Sequence, residues 1–234
     1  MKKIGIIGAM DVEVEMLKSM LDNAQNTEIG GCKFSEGTID GINVVIAQSG
    51  IGKVNAALCA QRLILQMGAT HIINTGIAGA MGRGLKVQDV VVSTDALYHD
   101  FDLTEFGCKP CEIEGMPCSD FPADETMIIA AQKAFEASDT TNGHNLVKGR
   151  MASGDQFVAS KVQKNDIVAK CNPMCVDMEA AAIAHAAYLC QVPYVVIRCM
   201  SDMADDGGAD TYSFNKLETA HMSADIVHRM IKLI

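Results

Sequence analysis

Glu179 and Asp202 are acids set at the ends of apolar stretches. Asp177-Met178-Glu179 opens an Ala-rich segment, and Arg198-Cys199-Met200-Ser201-Asp202 closes a β-branched one. A carboxylate at the carboxyl end of a buried parallel strand lies on the edge where open α/β sheets hold their ligands. Read singly, Glu179 also suits a helix N-terminus electrostatically, and Asp202 also suits the start of a turn. Arg198 tips the balance towards chemistry: an arginine within an apolar strand needs a partner, because an unpaired buried charge is very costly. The helix-start acid is the expected partner. A further acid, Glu13, stands with Asp11 and Glu15 in the first turn of the first expected helix. That start repels anions, and what it suits is a water molecule made basic by Glu13.

The elements that must carry these groups follow from hydrophobic spacing. Met178 to Leu189 reads as a packed helix and Val192 to Met200 as a buried strand. Ile4 to Ile7 is a short strand, followed by the turn Gly8-Ala9-Met10 and a helix with Met10, Val14, Leu17 and Leu21 on one face. Phe34 to Thr38 and Ile42 to Ala47 flank Asp40-Gly41, a hairpin signal that brings antiparallel pairing into the sheet. Gly50-Ile51-Gly52 opens a helix from Val54 to Met67; His71 to Asn74 is a buried strand ending at Thr75 to Ala80, and Val87 to Ser93, after a glycine-rich turn, is the next strand. A helix near Met127 to Ala137, a strand from Leu146 to Ala152 and a closing helix from about Phe214 complete the pattern. Leu217, Ala220, Ala224, Val227 and Ile231 form the inner face of that last helix. Tyr98 to Pro122 has no period and reads as a functional loop; Asp205 to Asp210 reads as a mobile lid. The fold class is α/β, a three-layer α/β/α sandwich with a central mixed, twisted sheet.

Composition narrows the function. With 5 Pro, 20 Gly and no low-complexity run, no linker is visible, so residues 1–234 read as one domain. The 49% hydrophobic content supports a large core, made of aliphatic residues because aromatics are only 5%. A net charge of -10 and a pI near 5.0 exclude nucleic acid as a partner. The N-terminus meets Asp11 and Glu13 before a signal-peptide core is complete, and no apolar run is long enough for a bilayer. The expected setting is the cytoplasm with its nine cysteines reduced and no membrane partner. Cys108, Cys111 and Cys118 lack the fourth ligand and paired spacing of a zinc site, so no metal is expected. Gly5 to Met10 is not Gly-x-Gly-x-x-Gly, and Gly52-Lys53 lacks the rest of a P-loop, so no nucleotide cofactor is expected either.

The chain resembles the nucleoside phosphorylase superfamily and, within it, the 5′-methylthioadenosine/S-adenosylhomocysteine nucleosidases. The resemblance runs nearly from end to end. It is carried by Gly5-Ile6-Ile7-Gly8-Ala9-Met10 with Glu13, Ser49 to Ala57, Asn74-Thr75-Gly76-Ile77-Ala78-Gly79, Tyr98-His99-Asp100 with Phe106, Ser153-Gly154-Asp155-Gln156-Phe157, Val176 to Ala184, and Arg198 to Asp202, in the family's order. It implies hydrolysis of the bond between adenine N9 and ribose C1′ in 5′-thio-substituted nucleosides, with 5′-deoxyadenosine a further substrate, in methionine salvage.

The resemblance also implies roles. Asp202 matches the acid that protonates the adenine at N7, assisted by Ser201, as the sugar becomes an oxocarbenium-like species. Glu13 orients and deprotonates water. Glu179 holds the ribose hydroxyls, with Met178 against the sugar and Arg198 steadying the carboxylate. Different jobs require environments that push the three acids' pKa values apart. Phe157 stacks on the adenine, which main-chain groups at Val158 read; Ala78 and Gly79 belong to the same binding set. Met10, Ile51, Leu103, Phe106 and Phe214 form the apolar 5′-thioalkyl pocket. Two positions depart from the pattern: Ile77 stands where many relatives have Ser, and Cys108 where relatives often place an aromatic reaching the neighbouring subunit. A homodimer follows, since the loop from Phe106 to Pro117 borders the partner's pocket. A phosphorylase of the same superfamily, a futalosine-type hydrolase and a non-catalytic nucleoside-binding module are the competing readings.

Overall fold

The computed structural model describes residues 2–234. β1 (Ile4–Gly8) leads through a tight turn into α1 (Asp11–Ser19); β2 (Asp22–Ile29), β3 (Cys32–Ile39) and β4 (Ile42–Gln48) follow as antiparallel neighbours, with α2 (Lys53–Leu65) behind them. Then come β5 (His71–Ala80), β6 (Val90–Tyr98), β7 (Phe121–Pro122) and α3 (Glu125–Glu136). The last part holds β8 (Leu146–Ser153), α4 (Lys161–Cys171), β9 (Cys175–Asp177), α5 (Ala180–Leu189), β10 (Tyr194–Asp202) and α6 (Gly208–Met230).

The sheet is mixed, and part of it closes on itself. β5 pairs with β10, β10 with β6, β6 with β8, β8 with β9, and β9 returns to β5. β1, β4, β3 and β2 extend from β5 as an open wing. The strand expected over His71 to Asn74 runs on through Thr75 to Ala80: once β1 ends, β5 continues against β10 and then pairs Gly79 and Ala80 with β9. Its glycines and alanines conceal this, because small residues lower strand propensity while allowing close packing.

Helices cover both faces of the sheet. One core joins α2 and α5 to Ile7, Val45, Ile72 and Val196, and the other joins α1, α3 and α6 to Ile6, Ile46, Ile73 and Ile197. Alternate residues of one strand thus feed opposite cores, as strand geometry requires. β2 and α4 are elements that apolar spacing does not reveal. β2 is a polar, exposed edge strand held by β3, and α4 buries only Ile167 and Cys171. α6 begins at Gly208, so the end of the expected lid is already helical. Among the described residues no helix is long and apolar enough to cross a membrane.

Candidate active site

The carboxyl ends of parallel strands β1, β5 and β10 meet, and the acids gather there. Glu13 lies in the first turn of α1. Its Oε2 accepts the N–H groups of Ala9 at 2.7 Å and Met10 at 2.9 Å, and its Oε1 accepts that of Ile77 at 3.1 Å. N–H groups of the turn before α1 and of β5, which could otherwise face an anion, are thus turned onto the protein's own carboxylate. Glu179 precedes α5 and accepts the Gly52 N–H at 2.8 Å. Asp202 ends β10; its Oδ1 accepts the Ala204 N–H and its Oδ2 lies 2.8 Å from the Ser201 hydroxyl, which reaches the Ala78 carbonyl at 3.3 Å.

Two glycines of β5 make room for these acids. A Cβ on Gly76 would lie 2.3 Å from Glu13 Oε1, and one on Gly79 would lie 3.1 Å from Asp202 Oδ1 and 2.9 Å from the Ala204 Cβ. Only glycine admits such contacts without displacing the carboxylate.

Arg198 is 2% exposed and donates Nε and Nη2 to Asp177 Oδ2 at 2.9 and 2.6 Å, and Nη2 also to Asn74 Oδ1 at 2.6 Å. The expected partner, Glu179, is therefore corrected to Asp177. The reason is local: Asp177 is the last residue of β9, which is separated from β10 by β5 alone, and it also caps α5 by accepting the Ala180 N–H and the Ser153 hydroxyl, which in turn accepts the Ala181 N–H. Glu179 is left free of that pair and faces the cavity.

Burial raises Glu13 above the ordinary carboxylate range, against Arg198 and the three N–H donors. Burial also pushes Glu179 up to about 7, with the Asp177 charge adding to it. Asp202 is raised by burial too, opposed by the Ala204 N–H, the Ser201 hydroxyl and the Lys164 ammonium. All three move the same way, so desolvation does not separate their roles as expected. Hydrogen bonds oppose the shift in each: the Ala9, Met10 and Ile77 N–H groups donate to Glu13, the Gly52 N–H to Glu179, and the Ala204 N–H and Ser201 hydroxyl to Asp202.

The acids line one cavity of about 500 Å³ with Met10, Ile51, Ala78, Gly79, Phe157, Met178 and Ser201. Val158 is buried behind Phe157 and lines a small adjoining cleft. Leu103 and Phe106 lie outside the cavity, on a turn after β6 where Phe106 is 81% exposed. Phe214 is 88% exposed and borders a different groove, with Met16 and His221.

Tyr212 takes the place expected of Phe214. Its ring meets Phe157 edge-on at 5.5 Å and its hydroxyl donates to Met10 Sδ at 3.3 Å. The α6 period explains the exchange. The buried residues Thr219, Ser223, Ile226 and Met230 extend back seven residues from Thr219 to Tyr212, while Phe214 shares the exposed face of Leu217, Glu218 and His221. Counting that stripe backwards from Thr219 would have found Tyr212. Ile77, singled out in the sequence as a departure from the pattern, lines the cavity, as does Asp177, inside a motif quoted for Glu179.

An acid-lined apolar cavity at the strand ends of a mixed α/β sheet defines the class. The chain belongs to the phosphorylase superfamily, whose family model matches residues 3–233. Within it the chain is a member of the 5′-methylthioadenosine/S-adenosylhomocysteine nucleosidase family. It is 43% identical over 204 residues to the nucleosidase of that name from Psychromonas ingrahamii, covering 86% of each chain. The crystal structure of the nucleosidase of Colwellia psychrerythraea in complex with adenine superposes with a TM-score of 0.94 at 38% identity, covering 99% of this chain and 95% of that one. The native futalosine hydrolase of Helicobacter pylori has a TM-score of 0.93 at 29% identity, covering 100% of this chain and 98% of that one.

Proposed function

We propose that the protein hydrolyses the N-glycosidic bond of 5′-methylthioadenosine and S-adenosylhomocysteine, and of 5′-deoxyadenosine, releasing adenine and the 5′-substituted ribose. The observation that carries this is the convergence of Glu13, Glu179 and Asp202 on one apolar cavity. Adenine leaves poorly as an anion, so Asp202, whose hold on a proton is strengthened by burial, gives its proton to N7 as the bond to C1′ stretches. Positive charge then grows on the sugar, where the buried carboxylates around Arg198 supply a stabilising negative field. Glu13 takes the proton of the attacking water and Glu179 holds the ribose hydroxyls. Phe157 stacks on the base beside main-chain groups at Val158, and Met10, Ile51 and Tyr212 receive the thioalkyl group.

Hydrolysis is favoured over phosphorolysis because the N–H groups of Ala9, Met10 and Ile77 already serve Glu13. The higher identity to the nucleosidase of Colwellia psychrerythraea than to the futalosine hydrolase favours thio-nucleosides as substrates. The same reading takes residues 1–234 as one domain, layered helix–sheet–helix around a twisted sheet. It places the enzyme in methionine salvage in the cytoplasm, a setting that suits nine unpaired cysteines. It also makes the active form a homodimer: Phe106, Val54 and Leu58 are exposed apolar groups, and a second copy would cover them and bring Leu103 and Phe106 to its neighbour's cavity. The test is adenine release from 5′-methylthioadenosine in phosphate-free buffer. Tight nucleoside binding without release would support a non-catalytic binding module instead.

A further inference from the structure

Lys164 lies in the first helical turns of α4, outside the cavity. Its ammonium donates to the Ala80 carbonyl at 2.8 Å and to the Met203 carbonyl at 2.6 Å. Ala80 ends β5 and Met203 follows Asp202, so one side chain ties together the two strands on which the acid rests. Among the described residues Lys164 forms no ion pair, and a half-buried ammonium spent on carbonyls alone calls for a reason.

The turn it holds is an unusual one. Ala204 has φ of +49°, a left-handed conformation that a residue with a Cβ seldom adopts. The Ala204 N–H meets Asp202 Oδ1, 2.8 Å away, and the Ala204 Cβ packs over Gly79. Lys164 grips the carbonyl immediately before it. We propose that Lys164 is a positioning residue for the acid Asp202, clamping the turn that orients its carboxylate and placing a positive charge behind it. This rests on the reading of Asp202 as the proton donor.

The groups facing Asp202 are Ser201 on its own strand, the Ala204 N–H and Asp205 from the turn, Lys164 from α4 and Tyr212 from α6. Lys164 favours the ionised acid and Asp205 opposes it. Their removal should therefore shift proton loss from Asp202 in opposite directions.

The experiment is the pH dependence of kcat/KM for adenine release in the wild type and in Lys164→Met, Lys164→Gln, Lys164→Arg and Asp205→Asn. The two neutral Lys164 variants should move the alkaline limb to higher pH and lose about tenfold in plateau kcat as the carboxylate loses its alignment. Lys164→Arg should restore the limb, and Asp205→Asn should move it to lower pH. An alkaline limb unchanged in both neutral variants, even with turnover reduced, would mean a purely structural lysine and overturns the proposal. A wild-type protein that releases no adenine would instead overturn the hydrolytic reading on which it rests.

Discussion

Arg198 and Asp177 form a buried ion pair in which two guanidinium nitrogens, at 2.9 and 2.6 Å, share one carboxylate oxygen. Asp177 also closes the N-terminus of α5, so the pair fixes the helix that presents Glu179. Replacing Arg198 by Met removes one partner and leaves the other charged and buried, which costs about 3–5 kcal/mol. A large drop in the thermal midpoint is expected, together with loss of activity. An unchanged midpoint would show that the pair is not a structural anchor.

Asp202→Asn keeps the shape and removes the proton. Turnover should fall by about 10² to 10⁴ while nucleoside affinity, measured by calorimetry, largely persists. Near-normal turnover would place leaving-group activation elsewhere.

Gly76→Ala tests Glu13 without touching it. The added methyl would lie 2.3 Å from Glu13 Oε1, so the carboxylate must move out of its three N–H bonds. The variant should lose activity much as Glu13→Gln does, and full activity would argue that the position of Glu13 is not critical.

Glu179 gives a pH dependence of stability. Its carboxyl is raised from 4.5 to about 7 in the folded protein, so the folded state holds that proton more tightly than the unfolded chain does. The associated stability is complete below about 4.5 and is lost as pH rises through about 7. Glu179→Gln carries no such loss. It should therefore gain up to roughly 3 kcal/mol relative to the wild type between pH 4 and pH 8.5, while binding ribose more weakly. Parallel thermal melts of ligand-free protein check this; a constant difference between the two proteins would show that Glu179 is not perturbed.

Tyr212 and Phe214 separate two assignments of the thioalkyl pocket. Tyr212→Ala should raise KM for 5′-methylthioadenosine about tenfold through lost apolar contact. Phe214→Ala should change it little. The reverse order would restore Phe214 to the site.

The acids were legible in the sequence because each ends or begins an element with clear apolar spacing. Their partners were less so. Arg198 announced that it needed an acid, but Asp177 and Glu179 differ by two residues, and only the path of β9 along the other side of β5 from β10 decides between them. Closure of the strand ring was hidden in Thr75 to Ala80, where small residues carry no strand signal yet pair with β10 and β9. Tyr212 was missed because glycines at 207 and 208 mark a helix start as well as a loop. Lys164 carried no signal at all, since its role depends on two carbonyls distant in the chain.

The most direct measurement is the identity of the sugar formed from 5′-methylthioadenosine when the protein is given abundant phosphate. With the Ala9, Met10 and Ile77 N–H groups committed to Glu13, water is the expected nucleophile. The product should be free 5-methylthioribose, formed at a rate independent of phosphate. A sugar 1-phosphate formed in proportion to phosphate would contradict hydrolysis and identify a phosphorylase.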